Sequence, residues 1–351
     1  MAGGVGSRFW PMSTEKRPKQ FLDVLGLGKS LIRLTYERFA KICPAQNILV
    51  VTNAQYTGLV QAQIPELEDW QILGEPIGRN TAPCILYAAE KIAKRDPNAV
   101  MVVAPSDHVI QNEDVFVEVT AKALDYAATR DVLITLGIKP SRPDTGYGYI
   151  HYDLDTGHNG FNKVKSFTEK PLLHVAESFL ASGDYLWNAG IFVWSAKSIS
   201  RAFERYLPRL GRQFADIRDK LDSPEETPSV ALVYADCEGI SVDYGIMEKA
   251  RNVEVYPAPF LWSDVGTWNA LFELKDKDAN GNVVAGKKLL MRNVHDSLVM
   301  VQDQKLVALN GISGLMVIES DDALLIADLN DEQAVKELVQ ALKQGEYKSF
   351  I

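Results

Sequence analysis

The chain has 351 residues, 46% hydrophobic and 24% charged, with a formal net charge of -9. That length holds one large core plus a smaller domain, and the composition is that of a soluble globular protein. The acidic balance argues against general nucleic-acid and anionic-membrane binding, and no apolar run has the length of a membrane span or the place of a leader, so a cytoplasmic location is expected.

The first element is a glycine-rich loop, with Gly3, Gly4 and Gly6 within four positions, followed by Ser7 and Arg8. Glycines let backbone N–H groups approach phosphate oxygens where a Cβ would obstruct them. Arg8 and Lys19 add full positive charges, so the segment reads as a triphosphate cradle; Gly-Gly-x-Gly alone is equally a surface turn beside two cations. No Gly-Lys-Ser/Thr follows at Walker spacing, and the dinucleotide fingerprint is absent.

Residues 30–42 have a helical apolar stripe of Ile32, Tyr36 and Phe39, and Ile48–Val51 reads as a short buried strand. The segment Gly74-Glu75-Pro76-Ile77-Gly78-Arg79-Asn80-Thr81-Ala82-Pro83 then leads from a strand into a helix over 82–94. Capping explains Asn80 and Thr81 but not Glu75 and Arg79. Val100–Val103 is a continuous apolar strand, and Asp107 follows it where open parallel sheets bind ligands; a turn or cap role fits equally. A helix over 113–129 and a strand over 132–136 complete an α/β alternation, which predicts a mainly parallel sheet with helices on both faces.

From 145 to 195 strand-like pieces (Tyr147–Tyr152, Val164–Thr168, Gly190–Trp194) are broken by a helix near 172–182. Residues 196–222 read as helical, and 223–229 as a polar surface connection rather than a lid. Asp264 precedes a helix over 266–275 and fits an N-cap. After the turn-rich stretch 276–282 come short strands near 283, 298, 306, 315 and 324, a turn at Asn310-Gly311 and a helix over 331–343. The domains expected are thus 1–275 and 283–351, the second without a cluster of catalytic character. Cys43, Cys84 and Cys237 read as buried apolar residues, and the five histidines show no zinc spacing.

The string Gly-Gly-x-Gly-x-Arg, followed by Phe9-Trp10-Pro11 and Pro18-Lys19-Gln20-Phe21, resembles the signature of the sugar-1-phosphate nucleotidyltransferases, and most of all the mannose-1-phosphate guanylyltransferases. The likeness runs from residue 2 to about 268. It implies a Rossmann-like, mainly parallel mixed sheet flanked by helices, with a small β-rich C-terminal domain. It implies too that Asp107 and Asp264 hold a divalent ion, for which Mg²⁺ suits oxygen ligands and phosphates. The string from Glu75 through Arg79, Asn80 and Thr81 resembles the base-recognition motif, with Glu75 accepting from the two adjacent donors of guanine. Gly146, Glu169, Lys170 and Asn188 lie in strings that fit a sugar phosphate, although separately they read as a hairpin turn, a surface ion pair and a buried strand. Asp243 matches a further motif whose role is open.

The reaction implied is attack of mannose 1-phosphate on the α-phosphorus of GTP, giving GDP-mannose and pyrophosphate, with Arg8 and Lys19 facing the triphosphate. Family members carry a hydrophobic strand just before Ala-Gly-Gly, so the sequence is expected to start at an internal methionine and to lack that strand. No cupin-like isomerase domain is expected after residue 351. The C-terminal segment often serves assembly in the family, which points to a homodimer. A sibling enzyme with another base or sugar, and a non-catalytic sugar-nucleotide sensor, are the alternatives.

Overall fold

The computed structural model describes residues 1–351, apart from the side chain of Glu332. In chain order it runs α1 (Leu31–Phe39), β1 (Val50–Asn53), α2 (Thr57–Gln63), β2 (Ile72–Glu75), α3 (Thr81–Arg95), β3 (Val100–Val103), β4 (Val109–Ile110), α4 (Glu113–Ala128) and β5 (Leu133–Ile138). There follow β6 (Gly148–Tyr152), β7 (Asn162–Glu169), α5 (Leu173–Ser182), β8 (Tyr185–Ser195), α6 (Ala196–Tyr206), α7 (Pro208–Ile217), α8 (Glu226–Asp236), β9 (Val253–Pro257), β10 (Trp262–Ser263) and α9 (Trp268–Leu274). The remainder is β11 (Val283–Ala285), β12 (Leu289–His295), β13 (Leu298–Met300), β14 (Val307–Ser313), β15 (Leu315–Glu319), β16 (Leu324–Asp328) and α10 (Glu332–Gln344). These form two compact units, one of Met1–Gly3, Tyr36–Ser106 and Ile110–Trp262, the other of Gly4–Thr35, Asp107–Val109 and Ser263–Ile351.

The first unit is built on a mixed six-stranded sheet of order β3-β8-β5-β9-β7-β6. Strand β5 is buried along its whole length, which its unbroken apolar sequence requires. It pairs parallel with β9, whereas the long β8 runs antiparallel to both β3 and β5. The antiparallel share is therefore larger than apolar runs alone suggest. Strands β1 and β2 form a separate parallel pair. Met1 and Ala2 reach both groups: Ala2 N donates to Val51 O at 2.7 Å, and Ser106 N donates to Met1 O at 2.9 Å.

Helix α3 buries Ala82, Ile85, Leu86 and Ala89, a stripe at helical spacing, and carries Lys94 and Arg95 in its last turn, where the helix dipole favours cations. The predicted helical region 196–222 is two helices and a short 3₁₀ turn. Pro208 starts α7 because its missing N–H is harmless only in a first turn. The predicted 223–229 connection is shorter than expected, since α8 begins at Glu226. The Glu226 carboxylate holds the buried Lys91 ammonium at 2.7 and 2.8 Å, and Asp222 lies 2.9 Å from the same nitrogen.

In the second unit β11, β13 and β15 stack in parallel, as do β12 and β14, while β16 closes the larger sheet antiparallel to β15. The expected turn at Asn310-Gly311 does not exist, because β14 runs through it. Gly311 and Asn293, at matching places on stacked strands, both have positive φ, as do Gly314 and Asp296. These left-handed residues bend successive coils at the same corners, so the Asn-Gly pair marks a corner and not a hairpin.

Candidate active site

In the second unit the glycine loop enters a short 3₁₀ turn, Ser7–Phe9, that leaves Arg8 exposed and buries Phe9. Gly6 has φ +71°, and a Cβ there would stand 2.6 Å from Lys19 Cβ. The glycine is thus required for Lys19 to pack against the loop, and Lys19 N donates to Val5 O at 3.1 Å. Gly4 is exposed, and a Cβ added to it would meet nothing within 4 Å. Ser7 takes part through its carbonyl, which accepts from Trp10 N.

Lys19 is the junction of this region. It is buried, and its ammonium donates to Asp264 O at 2.8 Å and Val265 O at 3.1 Å while pairing with Asp107 Oδ2 at 2.8 Å. The two distant aspartate motifs therefore meet at one cation. Burial pushes the Asp107 carboxyl up, but the Lys19 ammonium reverses this and holds it below the ordinary carboxylate range. Asp264 Oδ1 accepts from Gly266 N at 3.0 Å, and a Cβ on Gly266 would stand 2.7 Å from Asp264 Oδ2. Asp264 is not the cap of α9, because Thr267 fills that position. Between them Val265, fully buried, adopts φ +44°, a conformation that costs a β-branched residue about 1 kcal/mol or more. That bend presents consecutive carbonyls to Lys19. Among the described residues no group of three His, Cys, Asp or Glu side chains could enclose a metal. A pair of carboxylates suits an ion that completes its shell with water and phosphate oxygens, as Mg²⁺ does.

In the first unit, the segment from Glu75 to Thr81 divides into structural and chemical parts. Asn80 Oδ1 accepts from Thr81 N at 2.9 Å, and Thr81 Oγ1 accepts from Val242 N at 2.9 Å. Arg79 Nε donates to Tyr234 O at 2.9 Å, which ties the loop to the last turn of α8. Glu75 is buried, with Oε1 accepting from Tyr234 Oη at 2.9 Å. Its other oxygen faces Gly3, where an added Cβ would lie 3.5 Å from Oε2. Burial pushes this carboxyl up to about 7, with the Tyr234 hydrogen bond opposing the rise.

The sugar-phosphate candidates of the same unit lie on or beside β6, β7 and β8. Glu169 closes on Gly148, where a Cβ would stand 2.4 Å from its Oε2, and pairs with Lys170. Gly148 therefore makes the approach possible, whereas Gly146 is held by a bond from its N–H to Asp144 Oδ1 at 2.8 Å. Asn188 Oδ1 accepts from Thr135 Oγ1 at 3.0 Å, and its Nδ2 donates to Asp243 Oδ1 at 2.9 Å. Asp243 opens a π-helical turn, and burial, reinforced by Glu169, pushes its carboxyl up to about 6. Sequence reasoning missed Tyr234, Gly148 and Thr135. A buried tyrosine in a helix and a threonine in a central strand carry no local signal of a role, whereas Gly148 lay within a recognised string.

The model of the nucleotidyl transferase family matches residues 1–281, and that of the MannoseP isomerase/GMP-like beta-helix domain matches 293–342. A mannose-1-phosphate guanylyltransferase of Klebsiella pneumoniae is 35% identical over 100% of this chain and 74% of its own. The alginate biosynthesis protein AlgA of Pseudomonas aeruginosa is 36% identical over 97% of this chain and 71% of its own. Among solved structures, a Thermus thermophilus protein named mannose-1-phosphate geranyltransferase superposes with a TM-score of 0.88, at 32% identity and 98% coverage of both chains.

Proposed function

Because the chain belongs to the nucleotidyl transferase family, among the mannose-1-phosphate guanylyltransferases, we propose that it transfers GMP from GTP to mannose 1-phosphate, giving GDP-mannose and pyrophosphate. The junction at Lys19 carries this reading, since it brings a glycine loop and two aspartate motifs to one point. An oxygen of the sugar phosphate attacks the α-phosphorus, the bond from that phosphorus to the β-phosphate bridging oxygen breaks, and the electron pair leaves with pyrophosphate. The nucleophile is already an anion, so no general base is needed. The protein has to offset repulsion between two anions, by positioning and by fixed positive charge.

Asp107 and Asp264 would hold a divalent cation, Mg²⁺ on this reading, which would neutralise charge on the α-phosphate and the incoming phosphate. Lys19 keeps Asp107 ionised and fixes the Asp264–Val265 backbone, while Arg8, exposed beside the glycine loop, is the cation available to the triphosphate. Glu75 accepts from the guanine edge. Glu169, Asn188 and Lys170 face the sugar hydroxyls and phosphate. Pyrophosphate release from GTP and mannose 1-phosphate with Mg²⁺ tests the proposal. Faster release with another nucleotide or sugar phosphate would favour a sibling activity, and tight GDP-mannose binding without turnover would favour a sensor.

A further inference from the structure

We propose that Tyr234 of α8 is a positioning residue for base selection, orienting the Glu75 carboxylate so that one edge is left to the guanine. The inference rests on the role given above to Glu75. Tyr234 is fully buried, and its hydroxyl donates to Glu75 Oε1 at 2.9 Å. With Oε1 held, turning the carboxylate plane would break this bond, and Oε2 lies on the side of Gly3, where an added Cβ would stand 3.5 Å from it. A carboxylate has about four lone-pair sites, so accepting from Tyr234 leaves enough to take two further donors.

The strap that follows Tyr234 is fastened to the base loop along its length. Arg79 donates to the Tyr234 carbonyl, Ala82 N donates to Ile240 O at 3.0 Å, and Val242 N donates to Thr81 Oγ1. Gly239 packs on Arg79, where an added Cβ would lie 3.6 Å from the Arg79 carbonyl oxygen. Together these ties fix where the Tyr234 ring stands relative to Glu75. The other titratable groups facing Glu75 are Cys84 and Cys237, both pushed up by burial, and the Met1 amino group. The phenol of Tyr234 is pushed up as well and stays a donor throughout the accessible pH range.

Calorimetric binding of GTP and ITP to the full chain tests this, because inosine lacks the exocyclic amine that a second carboxylate contact would read. In Tyr234→Phe the preference for GTP over ITP is expected to shrink about tenfold, the scale of one charged hydrogen bond. Glu75→Gln should shrink it similarly, and the double variant should do no more than Glu75→Gln alone, since Tyr234 acts through Glu75. If Glu75→Gln leaves the preference intact, Glu75 does not read the base and the functional reading above is at fault. If Glu75→Gln abolishes the preference while Tyr234→Phe retains it, only the positioning role is overturned. Should Tyr234→Phe fold poorly, 3-fluorotyrosine at 234 keeps the shape and strengthens the donor. It is then expected to lower the pH at which GTP binding is half lost; an unmoved midpoint would sink the inference.

Discussion

At the scale of single residues, the two first-unit carboxylates pushed upward to the greatest extent are those placed against ligand in the proposed reaction or bonded to a residue that is. Glu75 moves from an ordinary value near 4.5 to about 7, and Asp243 from near 3.8 to about 6. A carboxyl whose folded value is raised contributes stability that is complete below its unfolded value and is lost as pH rises through the folded one. The unliganded protein should therefore melt at higher temperature near pH 5.5 than near pH 8, as far as these groups decide. Glu75→Gln, which cannot ionise, should be the more stable protein at pH 8 by up to about 3 kcal/mol, although it binds GTP less well. Thermal melting of both proteins at the two pH values checks the sign. Lys19 has the opposite character, because removing it strands Asp107. Lys19→Met is expected to lower turnover about a hundredfold and to move the acid limb of the rate profile upward. A near-wild-type rate would remove Lys19 from the chemistry.

At the scale of elements, the loop that begins at Glu75 is held by ties between segments far apart in the chain. Helix α8 is fastened at its first turn through Glu226 to Lys91 on α3, and at its last turn through Tyr234 and Ala235 to Arg79, just before α3 begins. Glu226→Ala leaves a buried ammonium with Asp222 alone and should cost about 3 kcal/mol in chemical denaturation, against less than about 0.5 kcal/mol for the exposed neighbour Glu225→Ala. In the glycine loop, Gly6→Ala demands both a left-handed alanine and a Cβ 2.6 Å from Lys19. It should lower the melting temperature and reduce turnover more than about tenfold, whereas Gly4→Ala, in open space, should do neither.

At the scale of the whole molecule, each unit has its own apolar core, and the second is assembled from both ends of the sequence. Phe9, Leu22, Val24 and Trp268 are buried in one cluster with Leu298, Met300, Met316 and Ile318 of the coils and Val335 of α10. Trp10 Nε1 donates to Phe350 O at 2.9 Å, and Trp268 Nε1 donates to Trp10 O at 3.1 Å. The coils are thus part of the support of the glycine loop. A fragment of residues 1–275 should expose that apolar face and be recovered as aggregate by size-exclusion chromatography. A soluble, active fragment would show that the shared core is dispensable. No helix among the described residues is long and apolar enough to cross a membrane.

What the sequence alone determined was local and chemical. Glycine spacing, apolar runs and capping residues announced the α/β alternation and the β-rich end, because backbone freedom and hydrophobic periodicity are properties of neighbours in the chain, whereas most candidate side chains were singled out by the resemblance of their motifs to a family. Tertiary structure decided the partnerships. That Lys19 gathers Asp107 and Asp264, that Arg79, Asn80 and Thr81 brace the loop that begins at Glu75, and that Tyr234 holds the Glu75 carboxylate, all depend on residues far apart in sequence. A buried polar atom must find its partner wherever the fold puts one, and no periodicity records that choice.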